Sequence, residues 1–198
     1  MSPSENGGNA VTPTSPGDER SAVATSADVA HLLGAELPGT RVPATGTAGE
    51  VSLRELAAAV ARLVIYAYPA IGAPGREPIT PDWTSIPGAF GCTAESCSFR
   101  DLASVIGDLG GAVCGLSTQP AAEQREAAQR LELTFPLLSD HAQTITGRLR
   151  LPTWSAGGQR LLKRFTIVAS GPVIEHVFAP VPEPAAHAGE VAAWLREN

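Results

Sequence analysis

The chain is poor in cysteine, in clustered charge and in long apolar runs, and each shortage removes a class of function. Three cysteines is an odd, small number. It fits a reducing compartment better than a secreted scaffold stapled by disulfides. No apolar run approaches the length needed to span a bilayer, and the longest, Leu63 to Tyr68, has the size of a buried strand. Met1 to Glu19 lacks a basic start followed by an apolar segment, so no secretory leader is read there. No Lys/Arg cluster stands out against a formal net charge of −6, which argues against nucleic acid or an anionic membrane as a partner. No cysteine pairs with a histidine at ligand spacing, so a zinc site is not expected. These shortages together predict a soluble, cytoplasmic chain.

What is present suffices for one domain. Hydrophobic residues make up 43% and charged residues 17% of 198 residues, enough apolar material for a core. Residues 1–25 read as a disordered polar tail of Ser, Pro, Gly, Asn and Thr, with too little apolar surface to offset its ordering entropy. Residues 26–198 form the predicted domain.

Along that domain, strand-like and helix-like segments alternate. Ser52 and Glu55 have capping-box spacing and open an alanine-rich helix to about Ala61. Leu63 to Tyr68 is continuous, β-branched and aromatic, as a central strand requires. Residues 69–91 carry five prolines and several glycines and read as a long irregular loop, a feature that in compact domains is usually functional. A helix begins near Cys92, with Phe99, Leu102, Val105, Ile106 and Leu109 as its buried face. Ala112 to Ser117 is the next strand, and Pro120 opens a helix to about Leu131. Phe135 to Leu138 is a short strand, and Asp140 can cap a helix from His141 to Leu149. Phe165 to Ala169 and Val173 to Phe178 flank a hairpin turn, and a last helix runs from about Ala186 to Arg196. The order implies an α/β fold with a mixed central sheet flanked by helices, in a thioredoxin-like arrangement.

The chemistry concentrates in Gly91-Cys92-Thr-Ala-Glu-Ser-Cys97. Cys92 follows a proline-rich loop and starts a helix, where the macrodipole and unpaired N–H groups favour an anion. A cysteine there can have its pKa lowered from roughly 8.5 into the range of about 3.5 to 7.5, and the thiolate is the reactive form. Cys97 lies a little over one turn later. On spacing alone the pair reads equally well as buried packing. A thioredoxin-type dithiol would have two residues between its cysteines, and here there are four.

Seven segments come in an order that resembles a known family. They are Val64 to Pro69, Gly91 to Cys97, Phe99 to Asp101, Cys114 to Thr118, Phe135 to Asp140, Lys163 to Val168 and Ile174 to Phe178. Together they resemble the peroxiredoxin Q branch of the peroxiredoxins, also called bacterioferritin comigratory proteins, from about residue 35 to the end. The resemblance implies a thioredoxin-like fold and a thiol peroxidase with no metal or organic cofactor. It implies a peroxide substrate, a thioredoxin-like or other dithiol reductant, and a monomer or homodimer. By position, Cys92 becomes the peroxidatic cysteine, Cys97 the resolving cysteine and Arg164 the arginine that steadies the thiolate and polarises the peroxide.

Two departures stand out. The family motif has a proline seven residues before the cysteine and a threonine three before it, where this chain has Ser85 and Ala89. The same loop carries an insertion of more than a dozen residues between Pro69 and Pro87. Pro69 is then a candidate counterpart of the motif proline, and Thr80 or Thr84 a candidate source of the hydroxyl. The departures keep two rivals open: a pathway enzyme on the same fold acting on a small organic thiol, disulfide, quinone or peroxide, and a non-enzymatic redox sensor. Cys114, mid-strand, reads as an inert core thiol, Arg100 as a salt-bridge residue and His176 as a packed or exposed histidine. Trp83 reads as a loop anchor or a cover for the site, and Trp154 and Trp194 as core or interface residues.

Overall fold

The computed structural model describes residues 20–46 and 49–198. Most of the expected tail, residues 1–19, lies outside them. Residues 20–25 do not behave as a tail: Ala22 and Ala24 are fully buried, and Val23 forms a bridge with Arg164. Small apolar side chains alternating along SAVAT let an extended segment lie flat on the core, which composition alone did not reveal.

Helix α1 (Ser26–Val29) is closed by a capping box between Thr25 and Asp28. Strands β1 (Arg41–Pro43) and β2 (Glu50–Ser52) form a small antiparallel pair. Ser52 then caps α2 (Leu53–Ala58), with Ser52 and Glu55 bonding reciprocally as the spacing predicted. Strand β3 (Arg62–Ala67) leads into the proline-rich loop, which contains one short 3₁₀ helix, Trp83–Ser85. Then come α3 (Cys92–Asp108), β4 (Gly111–Ser117), α4 (Ala121–Arg130), β5 (Leu137–Ser139) and α5 (Thr144–Leu149). The chain continues through β6 (Thr153–Ala156), β7 (Gln159–Leu162), β8 (Phe165–Ser170), β9 (Val173–Phe178) and α6 (His187–Glu197).

The central sheet has the order β5-β4-β3-β8-β9. Its β5-β4-β3 part is parallel and its β3-β8-β9 part antiparallel. This is the mixed, helix-flanked α/β sheet that the alternation of elements predicted. Period two explains the continuous apolar run of β3. Leu63, Ile65 and Ala67 face one core with α1, α2 and α5. Val64, Tyr66 and Tyr68 face the other with α3, α4 and α6. Tyr66 ties strand to helix through a hydrogen bond from its hydroxyl to Ser96 Oγ, 3.0 Å. Gly115 makes room for that ring: a Cβ there would meet Leu137 Cδ2 at 2.5 Å and the Tyr66 ring at 2.9 Å.

Several local expectations moved. The helix expected from His141 begins at Thr144, because Asp140 caps from farther back. Its carboxylate accepts from Ile145 N, Thr146 N and the hydroxyls of Thr144 and Thr146. The strand expected over Phe135 to Leu138 is displaced to Leu137–Ser139 by its pairing with β4. Val105 points to solvent, 36% exposed, whereas Glu95 and Ser96 are buried on α3. The β6–β7 hairpin escaped the sequence reading. It encloses a third small core with the long loop, in which Trp83 lies 5.5 Å from Trp154, centroid to centroid, among Ala22, Ala70, Ile86, Ala89 and Leu161. Trp83 is therefore a loop anchor. No helix among the described residues is long and apolar enough to cross a membrane.

Candidate active site

Cys92 is the first residue of α3. Gly91 precedes it with φ +103°, a left-handed conformation that glycine adopts without a Cβ penalty and that turns the loop into the helix. The thiol is 2% exposed. Arg164 Nη2 donates to Cys92 Sγ at 3.2 Å, and the thiol itself donates to Ala89 O at 3.6 Å. The same Nη2 reaches Gly88 O and Phe90 O, each at 3.0 Å. With two hydrogens on that nitrogen, sulfur and two carbonyls compete for one donor group. Sheet pairing fixes the arginine: it lies just ahead of β8, and its side chain is 1% exposed.

The residue that sequence reading missed is Glu95. It is fully buried three positions after Cys92, on the same side of α3, and accepts from Arg164 Nη1. Its other oxygen and Arg164 Nε find no partner among the described residues. Burial pushes the Glu95 carboxyl up to about 7, with the Arg164 charge pulling the other way. The i, i+3 spacing from Cys92 was the available signal, since that spacing places two side chains on one helix face.

The electrostatics of Cys92 run against the expectation from its helix position. Burial pushes its thiol above the ordinary value; Arg164 opposes this, Glu95 adds to it, and the Ala70 backbone N–H opposes it. The dipole and an arginine shared with a buried carboxylate do not offset loss of water around the sulfur.

Cys97 sits at the sixth position of α3, half-buried, and all three cysteines are free thiols. An intact helix holds residues five apart with Cα atoms roughly 8–9 Å from each other, from its rise and radius. A disulfide needs at most about 6.8 Å, so the first turn must open before Cys92 meets Cys97. Cys114 is buried mid-strand, its thiol pushed up to about 12 by burial, and it packs in the core that holds Ile65, whereas Cys92 and Cys97 pack in the one that holds Tyr66. Arg100 pairs with Asp101 and donates to Leu131 O. His176 stacks on Trp194 at 4.7 Å.

Neither candidate threonine replaces the motif hydroxyl. Thr84 is exposed, and neither it nor Thr80 bonds Cys92 or Arg164 among the described residues. The Pro69–Ala70 segment instead brings a backbone N–H to the sulfur.

Residues 84–174 match the AhpC/TSA family. Among solved structures, peroxidoxin BcpB from Mycobacterium tuberculosis superimposes with a TM-score of 0.66 and 27% identity, over 83% of this chain and 96% of that one. The likeness is to peroxiredoxins, and the match to the AhpC/TSA family spans just under half of the chain. A protein named as a peroxiredoxin in M. tuberculosis is 35% identical over 78 residues, covering 39% of this chain and 51% of the relative. Peroxiredoxin Q, chloroplastic, of Oryza sativa subsp. japonica is 27% identical over 134 residues, covering 68% and 54%. The chain thus spans about half the length of the curated relatives it matches. Peroxiredoxin Q of Xanthomonas campestris shares the fold, with a TM-score of 0.63 at 23% identity over 82% of this chain and 96% of that one. Both the thioredoxin-like fold and the peroxiredoxin Q likeness expected from the ordered motifs are thereby found. The long loop of this chain is accommodated beside the site, packed on the β6–β7 hairpin.

Proposed function

We propose that this protein is a peroxiredoxin, a thiol-dependent peroxidase for hydrogen peroxide or organic hydroperoxides. The observation that carries the reading is Cys92 at the head of α3, with the Arg164 guanidinium 3.2 Å from its sulfur. Cys92, as thiolate, attacks the distal peroxide oxygen. The O–O bond breaks, the proximal oxygen takes a proton and leaves as water or an alcohol, and Cys92 becomes a sulfenic acid. Arg164 stabilises first the thiolate and then the developing negative charge on the leaving oxygen. The first turn of α3 then opens. Cys97 attacks the sulfenic sulfur, a Cys92–Cys97 disulfide forms, and the hydroxyl leaves as water. Two thiols of an external dithiol, for which a thioredoxin-like protein is the expected type, return both cysteines to thiols. The proposal includes a reducing, cytoplasmic setting, supported by the small cysteine count. The likeness to peroxiredoxins supports this reading over a sensor or a small-thiol oxidase.

The test is intact mass and peptide mapping after one equivalent of hydrogen peroxide or cumene hydroperoxide, with Cys92→Ser as control. The expected result is loss of two hydrogens, mapped to Cys92–Cys97 and absent in the control. Persistence of free thiols with both peroxides, or a bond to Cys114, sinks the assignment.

A further inference from the structure

The segment before α1 crosses the back of the active-site loop and closes a ring with it. Ala22 N donates to Pro87 O at 2.8 Å, and Arg164 N donates to Ala22 O at 2.7 Å. The Arg164 guanidinium donates to Gly88 O at 3.0 Å. The ring therefore runs from the strap at Ala22, through Pro87 and Gly88, to Arg164 and back. The crossing is tight: a Cβ on Gly88 would lie 2.8 Å from both Ala22 C and Val23 N. That approach, with φ +76°, is why residue 88 is glycine. The Ala22 side chain is fully buried in the small core with Trp83, Ile86 and Ala89. Farther along, Asp28 pairs with Lys163 at 3.2 Å and Ser26 Oγ donates to Ala179 O at 2.8 Å.

We infer that residues 20–25 are a strap that positions the Cys92 loop and Arg164 for attack on peroxide and restrains the opening of α3 that disulfide formation needs. Ala22 is its positioning residue. The inference rests on the proposed peroxidase cycle. Its physical basis is that both ends of the Arg164 contact are held from one place. The strap fixes the arginine backbone by one hydrogen bond and the loop backbone by another, so Sγ and guanidinium keep their separation. When the first turn of α3 opens, Gly91, Phe90 and Gly88 must follow the sulfur, and the strap resists this through Pro87. The strap thus favours the first chemical step and opposes the second.

The test uses the full chain and Ala22→Glu, whose carboxylate cannot enter the apolar core. Ala22→Gly, which keeps both backbone bonds, is the conservative rescue. Ala22→Pro removes the N–H that bonds Pro87 while keeping an apolar side chain, and serves if Ala22→Glu does not fold. Hydrogen exchange read by mass spectrometry should show amides of residues 86–98 exchanging about five- to thirtyfold faster in Ala22→Glu, the range for one or two lost hydrogen bonds. Peptides of α4 and β9 should be unchanged. Stopped-flow tryptophan fluorescence should show sulfenate formation slowed about tenfold and disulfide formation quickened about threefold, with Ala22→Gly near wild type. Wild-type exchange in 86–98 of a folded strap variant overturns the inference, as does equal slowing of both steps. A wild type that forms no disulfide refutes the peroxidase cycle instead, and hydrogen exchange still reads the strap directly.

Discussion

Glu95→Gln should make the proposed peroxidase reaction faster at neutral and alkaline pH, a result opposite to that of most substitutions beside a reactive group. Glu95 and Cys92 are three apart on one helix, which sets their side chains about 5–6 Å apart. At an effective dielectric of about 20, two unit charges at that distance interact by about 3 kcal/mol. Because Glu95 titrates at about 7, it carries roughly half a charge at that pH. Removing it therefore favours the Cys92 thiolate by about 1–2 kcal/mol, on the order of tenfold in thiolate fraction. Glutamine still accepts from Arg164 Nη1, so the geometry of the guanidinium is kept. The assay is the pseudo-first-order rate of sulfenate formation against pH. The ratio of variant to wild type should be near one at pH 5.5, where Glu95 is protonated, and climb through pH 7. The stability consequence has a fixed sign. The folded-state value of Glu95 is raised from 4.5 to about 7, so its contribution is fully present below 4.5 and lost as pH rises through about 7. The loss is on the order of 3 kcal/mol, and Glu95→Gln should flatten that part of the urea-midpoint profile. A constant rate deficit in the variant at every pH would refute the reasoning and leave Glu95 a purely mechanical anchor for Arg164.

Two further outcomes are expected. Asp140→Ala removes a fully buried acceptor of four hydrogen bonds at the start of α5 and should cost about 2–4 kcal/mol in urea unfolding. His187 is buried between Thr166 Oγ1 at 2.9 Å and Glu190 Oε2 at 3.0 Å, and burial holds its imidazole below the usual value. Its contribution to stability is present above about 6.5 and lost as pH falls through its lowered folded value. His187→Gln should show less acid destabilisation than wild type in thermal melts between pH 7 and 5, and an unchanged acid limb would contradict this.

Local rules carried much of the fold. The Ser52–Glu55 box, the turn between β8 and β9 and the apolar run of β3 each depend on a few adjacent residues, and each appeared where the sequence put it. The ordered motifs likewise led to the peroxiredoxin Q likeness. Cys92 at a helix start follows from its neighbours alone, because the loop glycine and prolines end just before it. What failed to show in the sequence depends on contacts between distant segments. The strap at Ala22 exists only because Pro87 and Arg164 come together, over sixty residues away. The β6–β7 hairpin is stabilised by packing against an irregular loop, so its own periodicity gave little signal.

The sequence by itself determined that a mixed α/β sheet would set a cysteine at the head of a helix, with a second cysteine five residues on. Hydrophobic periodicity and turn chemistry act over a few residues and are written in the chain. Only the tertiary structure decided the electrostatic state of that cysteine. Its burial, the arginine brought from just ahead of β8 and the carboxylate sealed against both are set by which surfaces lose water on folding. Together they raise Cys92 where the helix start alone would lower it.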